Sequence, residues 1–469
     1  MSLPDIPTIL EFLKSAEPEM LEEMGEAAVL EAFQSAAREV PAYAGLLNRH
    51  GVDPAAVTDI ESFRRLVPLT DKHNTFLAHP IHELCRGGSL KRIRSIVPSS
   101  GHSGTFAFSV DTPEGGELAA KGADLAFEYV LGISERPTLV VNCYPMGLQV
   151  PTSMAVANAG VNADVAIVKS FASDFDQLII VSQPLFVKKL LEDGFAQGVD
   201  WKRLRTTVVA GGEGFVESWR TYISGLLGIE DPDNPTTQFV ASSMGAGELG
   251  LNLFHEVPET IRIIRRAYRD PALRQALFGE GVTHTPHFFV YYPMRSFIEE
   301  IPAAGWPGGD LAVSHTALDL PLPLFRYRTG DLVRLIPYRR LEEILARSAP
   351  DMPMPGLRLP CAAVFGRRDG LEVAGGRVSV EAVKEALFLD ADVARSVTGF
   401  FRASVAGGGL RMDAQLREGT APAPTLADRL LTCLAACDSR GLSWTVQLHP
   451  CRDFPQPTTY ERKHAYLAR

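Results

Sequence analysis

From Met20 to Leu47 the apolar residues Leu21, Met24, Val29, Leu30 and Phe33 recur at helical spacing, and Pro41 closes the pattern, so the chain is expected to open with helix. Past Leu118 the pattern changes. An amphipathic helix over 117–131 gives way to short apolar runs at 138–142, 164–168, 177–181, 206–210 and 238–241, separated by helical stretches. Helix alternating with β-rich apolar runs predicts a large layered α/β domain with a largely parallel sheet, whose ligands lie at the carboxyl ends of the strands.

A Pro-rich stretch, "APDMPMPGLRLP" over 349–360, is expected to separate that unit from a tail that again mixes strands and helices, at 371–374, 380–389, 393–401, 426–437 and 444–448. The tail reads as a small, mobile C-terminal α+β domain of about 100 residues. The expected division is 1–365 and 366–469. Gly407-Gly408-Gly409 and "TAPAPT" at 420–425 read as loop tips, and the chain carries no internal repeat.

The composition is that of a globular protein: 469 residues, 46% hydrophobic and 22% charged, long enough for two or three domains. A formal net charge of -10 argues against nucleic acid or an anionic membrane as partner and favours a small molecule. Cys85, Cys143, Cys361, Cys433, Cys437 and Cys451 are scattered, which suits reduced thiols; Cys433 and Cys437 stand one helical turn apart without further metal ligands beside them. The start "MSLPDIPTILEFLKS" has no basic region ahead of an apolar run, and no apolar stretch approaches the ~20 residues of a membrane span. The expected location is the cytoplasm.

Three segments carry chemistry. Ser99, Ser100, Gly101, His102, Ser103 and Gly104 follow an expected strand and compress hydroxyls and glycines into a loop whose amides and hydroxyls could cradle a polyphosphate; a Ser/Gly-rich surface turn has the same composition. In "PLFRYRTGDLVRL", Thr329-Gly330-Asp331 reads as a tight turn presenting one carboxylate, able to accept from both hydroxyls of a ribose. In "PQPTTYERKHAYLAR", Lys463 is a lysine near a terminus, of consequence only if the fold delivers it somewhere.

With "VVAGGEGF", "SSMGAGELGLN" and Gly366-Arg367-Arg368-Asp369, these segments resemble, in order and along nearly the whole chain, the adenylate-forming superfamily of acyl-CoA synthetases and nonribosomal adenylation domains, within it the phenylacetate-CoA ligase-like branch. The resemblance implies that residues 99–104 form the phosphate loop and that Asp331 and Arg367 hold the ribose. It also implies that Gly211, Gly212, Glu213, Ser243 and Met244 line the adenine and acyl pocket, that Glu248 binds Mg²⁺, and that Asp369 is the hinge. Pro457, Thr459 and Lys463 keep the spacing of the family's C-terminal signature, with Arg462 where glycine is usual, so Lys463 is implied as the catalytic lysine. Tyr144, Pro145, Met146 and Gly147, with Phe239, Met244 and Gly245, would supply an apolar slot for the acid. His102 and Gly247 depart from the family's hydroxylic residues. His255, His284 and His287 are expected to be satisfied strand histidines rather than metal ligands.

A cation between a carboxylate and an α-phosphate lowers the barrier to joining two anions, which gives Lys463 a physical role beside the implied one. The expected activity is ATP- and Mg²⁺-dependent adenylation of a small carboxylic acid, with an aromatic acid compatible with the slot, followed by acyl transfer to a thiol, that of coenzyme A first. A carrier-protein thiol, an amine acceptor, and a nucleotide-binding partner protein without catalysis are the alternatives. A homodimer is compatible with the sequence; nucleic acid and membrane are not expected partners.

Overall fold

A computed structural model describes residues 4–91, 93–98, 107–145, 147–162, 165–282, 284–306, 308–373, 376–438 and 440–468. The expected phosphate-loop residues Ser99, Ser100, Gly101, His102, Ser103 and Gly104, and Met146 of the expected acyl slot, lie outside the described residues.

The amphipathic opening folds as helices Ile6–Ser15, Pro18–Glu39 and Pro41–Arg49. Pro41 starts a helix as well as ending one, because the first helical position needs no N–H. Strands β1 (Ser95–Pro98) and β2 (Phe108–Asp111) pair antiparallel. An eleven-stranded sheet follows, made by β3 (Thr138–Asn142), β4 (Ala155–Asn158), β5 (Gln177–Ser182), β6 (Thr206–Ala210), β7 (Val240–Ala246), β8 (Gly250–His255), β9 (His287–Val290), β10 (Ser296–Pro302), β11 (Gly309–His315), β12 (Tyr327–Ile336) and β13 (Cys361–Arg367).

Its order is β10-β11-β12-β13-β9-β8-β7-β6-β5-β3-β4. Only the β4-to-β7 half is parallel; from β7 onward every pairing is antiparallel, which corrects the expectation of a largely parallel sheet. The reason lies in the connections. Parallel strands need a crossover of a dozen or more residues, whereas β7 and β8 are joined by a tight turn that permits only a hairpin. The strand expected at 164–168 is instead part of helix Val165–Phe171, with Val165 and Val168 buried on one face; periodicity cannot tell such a short apolar run from a strand.

The Pro-rich stretch is not the boundary between units. After it the chain returns to the large sheet as β13, between β12 and β9, so Gly366 and Arg367 belong to that sheet and not to the tail. The smaller unit begins with the hairpin of β14 (Gly370–Val373) and β15 (Gly376–Ser379). It continues with helices Val380–Leu389, Ala391–Ser396 and Pro424–Cys437 around the three-stranded sheet of β16 (Val397–Ala406), β17 (Gly409–Leu416) and β18 (Trp444–His449). Gly407 and Gly408 are the tip of the β16–β17 hairpin, and the six cysteines are unpaired. Among the described residues no helix is long and apolar enough to cross a membrane.

One hydrophobic cluster runs through both units, joining Val187, Leu190, Trp219 and Ile223 to Ala386, Leu387, Val397 and Phe401. Lys188 is buried at that junction and donates to the carbonyl of Val397 at 2.7 Å and to Glu192 at 2.7 Å. Burial pushes its ammonium down to about 8 against the opposing pull of Glu192.

A second buried contact ties the two halves of the large sheet together. Arg220, on helix Glu217–Leu226, donates to both oxygens of Glu256 at 2.8 and 2.9 Å and to Glu217 at 3.0 Å. Glu256 follows β8 and also accepts from the amide of Ser242 on β7 at 2.6 Å. Removing one partner of such a pair strands the other charge in a dry site, so Arg220→Met is expected to cost about 3–5 kcal/mol. Equilibrium urea unfolding measures this, and the double variant Arg220→Met/Glu256→Gln should recover a measurable part of the loss. A single-variant cost under about 1 kcal/mol would remove the pair from its structural role.

Candidate functional site

The turn after β6 is built by close approach. Gly211 donates its amide to the carbonyl of Ser182 at 3.0 Å, and a Cβ on Gly211 would stand 2.4 Å from the Tyr144 hydroxyl and 2.8 Å from the carbonyl of Ser243. Only glycine therefore lets Tyr144, Gly211 and Ser243 meet at the carboxyl ends of β3, β6 and β7. Gly212 packs on Gln183 beside them. Pro145 is buried, Gly147 and Gly245 are exposed, and Met244 is half-buried. Met244 pairs across the hairpin with Phe254 and so faces the opposite side of the sheet from Ser243. Phe239 is not brought to this place. It precedes β7 at the amino end of that strand and is buried with Val140, Ile179 and Ile261.

Thr329-Gly330-Asp331 is no turn between two strands. It lies inside the ten-residue β12, where Gly330 takes φ 86° and the pairing with β11 shifts register, as a bulge does. The bulge aims Asp331 at its partner across β13, Arg367, with Nε 3.7 Å from Oδ1. At the head of the same strand the Tyr327 hydroxyl donates to Oε1 of Glu248 at 3.0 Å, and the Lys72 ammonium stands 4.0 Å from that oxygen. Glu248 is buried in the β7–β8 turn. Both contacts fall on one oxygen of the carboxylate.

Lys463 arrives from the far end of the chain. The tail is stitched to β16 by the Tyr466 carbonyl, which accepts from the Ala403 amide at 2.8 Å, and by the Ala468 amide, which donates to the Ala403 carbonyl at 2.9 Å. The buried ring of His464 adds a contact from Nε2 to the Phe401 carbonyl at 2.8 Å. Thr459 accepts from the Glu461 amide at 3.1 Å, closing the turn before the lysine. Lys463 is thereby held half-buried, where the charges of Arg367, Asp331, Glu213 and Lys384 act on it. Burial lowers its ammonium below the ordinary lysine value and Arg367 adds to this, while Asp331 and Glu213 act in the opposite direction.

Glu213, expected among the nucleotide residues, clasps the two units. Its carboxylate accepts from the Tyr466 hydroxyl at 3.1 Å and from Lys384 at 3.3 Å, and the Lys384 ammonium lies 4.4 Å over the Tyr466 ring. Asp369 is exposed and follows the bend at Arg368 between β13 and β14, where the chain passes from one unit to the other. Lys384 and Tyr466 escape the sequence reading: Lys384 looks like any helix-surface lysine, and Tyr466 could be found only by noticing an aromatic beside Lys463 in a polar tail.

The three histidines divide. Nε2 of His287 accepts from the Phe215 amide at 3.1 Å, so its proton sits on Nδ1, 4.0 Å from Glu256. His287 thus carries the buried Arg220–Glu256 pair to the Gly211–Phe215 segment. His284 borders a cavity of about 450 Å³ between the units, which Gly214, Phe215, Gly366 and Glu381 also border. His255, expected to be satisfied, is buried with neither ring nitrogen partnered among the described residues.

No protein-family model matches the chain, and no curated protein matches it in sequence. Solved structures do. A 2-hydroxyisobutyryl-CoA ligase in the postadenylation state, in complex with 2-HIB-AMP, superposes with a TM-score of 0.66 at 14% identity, over 94% of this chain and 88% of that one. The chain has the fold of the adenylate-forming CoA ligases. The same ligase in the thioesterification state, in complex with 2-HIB-AMP and CoA, gives 0.57 at 15% identity over 97% and 90%. An anthranilate CoA ligase in complex with anthranoyl-AMP gives 0.50 at 13% identity over 86% and 74%.

If Glu213 holds the units together, Glu213→Ala should loosen the crossing between them. Trypsin is then expected to cleave after Arg367 and Arg368, both about half exposed at 47%, several-fold faster than in the wild type. An unchanged cleavage rate would refute the clasp.

Proposed function

We propose that this protein is an ATP-dependent acid–thiol ligase. It adenylates a small carboxylic acid with release of pyrophosphate, then transfers the acyl group to a thiol, that of coenzyme A. One observation carries the reading: the tail of the smaller unit, tied to β16 and to Glu213 of the larger, brings Lys463 into the field of the Asp331–Arg367 pair.

In the first step a carboxylate oxygen of the acid forms a bond to the α-phosphorus of ATP and the bond to the β-phosphate oxygen breaks, giving acyl-adenylate and pyrophosphate. The Lys463 ammonium neutralises the approach of the two anions, and the Asp331 carboxylate accepts from the ribose hydroxyls. The Arg367 guanidinium beside Asp331 orients that carboxylate. Gly211, Gly212 and Ser243 form the wall against which adenine and the acid lie, with Tyr144 closing it. Glu248 is the residue that would hold Mg²⁺, which when bound shields the polyphosphate charge. In the second step the thiol sulfur bonds to the acyl carbon, AMP leaves, and the thiol proton goes to solvent.

The larger unit, through Arg367, and the smaller, from Gly370, would turn about Asp369 between these steps. The closer superposition on the postadenylation state of the 2-hydroxyisobutyryl-CoA ligase, with a TM-score of 0.66, than on its thioesterification state, with 0.57, supports reading the present arrangement as the one that precedes thioester formation.

The test is an acid-by-acid screen for substrate-dependent pyrophosphate release, with and without coenzyme A. Lys463→Ala should slow acyl-adenylate formation about 100-fold or more while folding stays intact. A rate within a few-fold of wild type would refute the assignment. The lysine must be protonated to act, and its pKa lies below the ordinary 10.5, so adenylation should fall on an alkaline limb beneath that value. Asp331 raises that pKa, so Asp331→Asn should move the limb to still lower pH; a limb that moves upward contradicts the placement.

A further inference from the structure

At the head of β12 a lysine from far upstream in the chain faces the carboxylate of Glu248. Lys72 belongs to the segment after helix Ile60–Leu66, and that segment is bonded directly to β12. The Thr70 amide donates to the Arg326 carbonyl at 3.0 Å, and the Arg328 amide donates to the Thr70 carbonyl at 2.8 Å. The buried Thr70 hydroxyl donates to the Phe325 carbonyl at 2.7 Å. Thr70 thus runs parallel beside Tyr327, the residue whose hydroxyl reaches Glu248.

Residue 72 is fixed from both sides. One Asp71 oxygen accepts from the amides of His73 at 2.9 Å and Asn74 at 3.1 Å, and the Asn74 side chain accepts from the Asp71 amide at 2.8 Å. The other Asp71 oxygen accepts from Arg328 at 3.1 Å. The acid next to Lys72 is therefore taken, and the lysine reaches toward Glu248, with Nζ 4.0 Å from Oε1. That is too long for a hydrogen bond. A lysine serving only to neutralise a buried carboxylate closes to bonding distance, as Lys188 does with Glu192 at 2.7 Å. The Lys72 side chain is 25% exposed, and its three N–H groups make no hydrogen bond among the described residues.

A positive charge is wanted at this end of the site. Residues 95–111, which include the expected phosphate loop, contain neither lysine nor arginine, so that stretch brings amides and hydroxyls but no fixed cation. Arg367 stands at Asp331, four residues along β12 from Tyr327, and Lys463 lies in the field of that pair. Among the described residues, Lys72 is the cation paired with Glu248.

We propose that Lys72 is a catalytic residue of adenylation that binds the β- and γ-phosphates of ATP, supplying from another part of the chain the cation that residues 95–111 lack. This rests on the adenylation reading. As the bond from the α-phosphorus to the bridging oxygen breaks, its electron pair goes to the β-phosphate oxygen, and the Lys72 ammonium meets the charge that grows there. Lys463 acts on the entering carboxylate and Lys72 on the leaving pyrophosphate. A compact ammonium with three donors on a flexible stem suits a phosphate group.

The experiment compares the wild type with Lys72→Met and Lys72→Arg on the full chain. Calorimetric titration with ATP and, separately, with AMP, in EDTA and again with Mg²⁺, reads binding; pyrophosphate release reads adenylation. Lys72→Met should weaken ATP about tenfold or more and AMP less than about twofold, and lower kcat/KM for ATP about 100-fold. Lys72→Arg keeps the charge and should recover part of both losses. Lys72→Gln serves should Lys72→Met fail to fold, with AMP affinity reporting an intact site. Wild-type affinity for ATP in the neutral variants overturns the proposal, as does equal weakening of ATP and AMP, which marks a lysine that only steadies Glu248. If the neutral variants lose ATP selectively but no acid yields pyrophosphate with the wild type, Lys72 keeps the phosphates and the adenylation reading falls. If acids yield pyrophosphate in those variants at the wild-type KM for ATP, the adenylation reading stands and the role of Lys72 falls.

Discussion

The Arg220–Glu256 pair sits where the sheet changes character. Upstream of β7 the strands of the sheet pair parallel, and downstream they pair antiparallel. Glu256, just after β8, accepts from Arg220 on a helix of the parallel half, from the Ser242 amide on β7, and stands 4.0 Å from His287 on β9. A buried carboxylate must be held charged by such partners or take up a proton; burial raises Glu256, and Arg220 with His287 overcomes that and leaves it lowered. Because one charge needs all these partners at once, it fixes the register of β7 against β8 and the position of the Gly211–Phe215 segment. The site residues on both strands inherit that rigidity.

On this base the smaller unit is docked by polar contacts whose geometry is specific and whose number is small. Glu213 receives Tyr466 and Lys384, and Lys188 reaches the Val397 carbonyl. The apolar cluster between the units supplies the area, but the clasp decides where the tail ends. Residue 463 is positioned because residues 464, 466 and 468 are bound to β16. Interfaces built this way can separate at modest cost, since each charge regains water when it lets go. That property suits the proposed mechanism, in which the smaller unit would hold Lys463 over one reaction and withdraw it for the next.

Much of this was legible in the residues. β3, β5 and β6 are found where continuous apolar runs predict them, because strands covered on both faces need no polar side. β17, "GLRMDAQL", was not foreseen: Arg411 pairs with Asp413 along the strand, and the polar residues conceal the buried Leu410, Met412 and Ala414. The Pro-rich stretch looks like a linker from composition alone, but whether the chain leaves a sheet or returns to it depends on pairing with β12 and β9, which lie far off in sequence. In the site, Asp331, Arg367 and Lys463 could be named from the motifs that carry the family resemblance, whereas Lys384 and Tyr466 owe their role wholly to tertiary placement.

Two tight glycines bring polar groups close to the backbone. Gly211 lets the Tyr144 hydroxyl and the Ser243 carbonyl close on the turn after β6, and Gly122 lets the Arg295 guanidinium lie on a helix. In each case a missing side chain allows a polar group to approach where a Cβ would exclude it. The difference is in what the polar group meets. At Gly211 it meets other protein atoms, and the contact is complete as built. At Gly122 the guanidinium belongs to an exposed residue, so only one side of it lies on the helix and the other meets water.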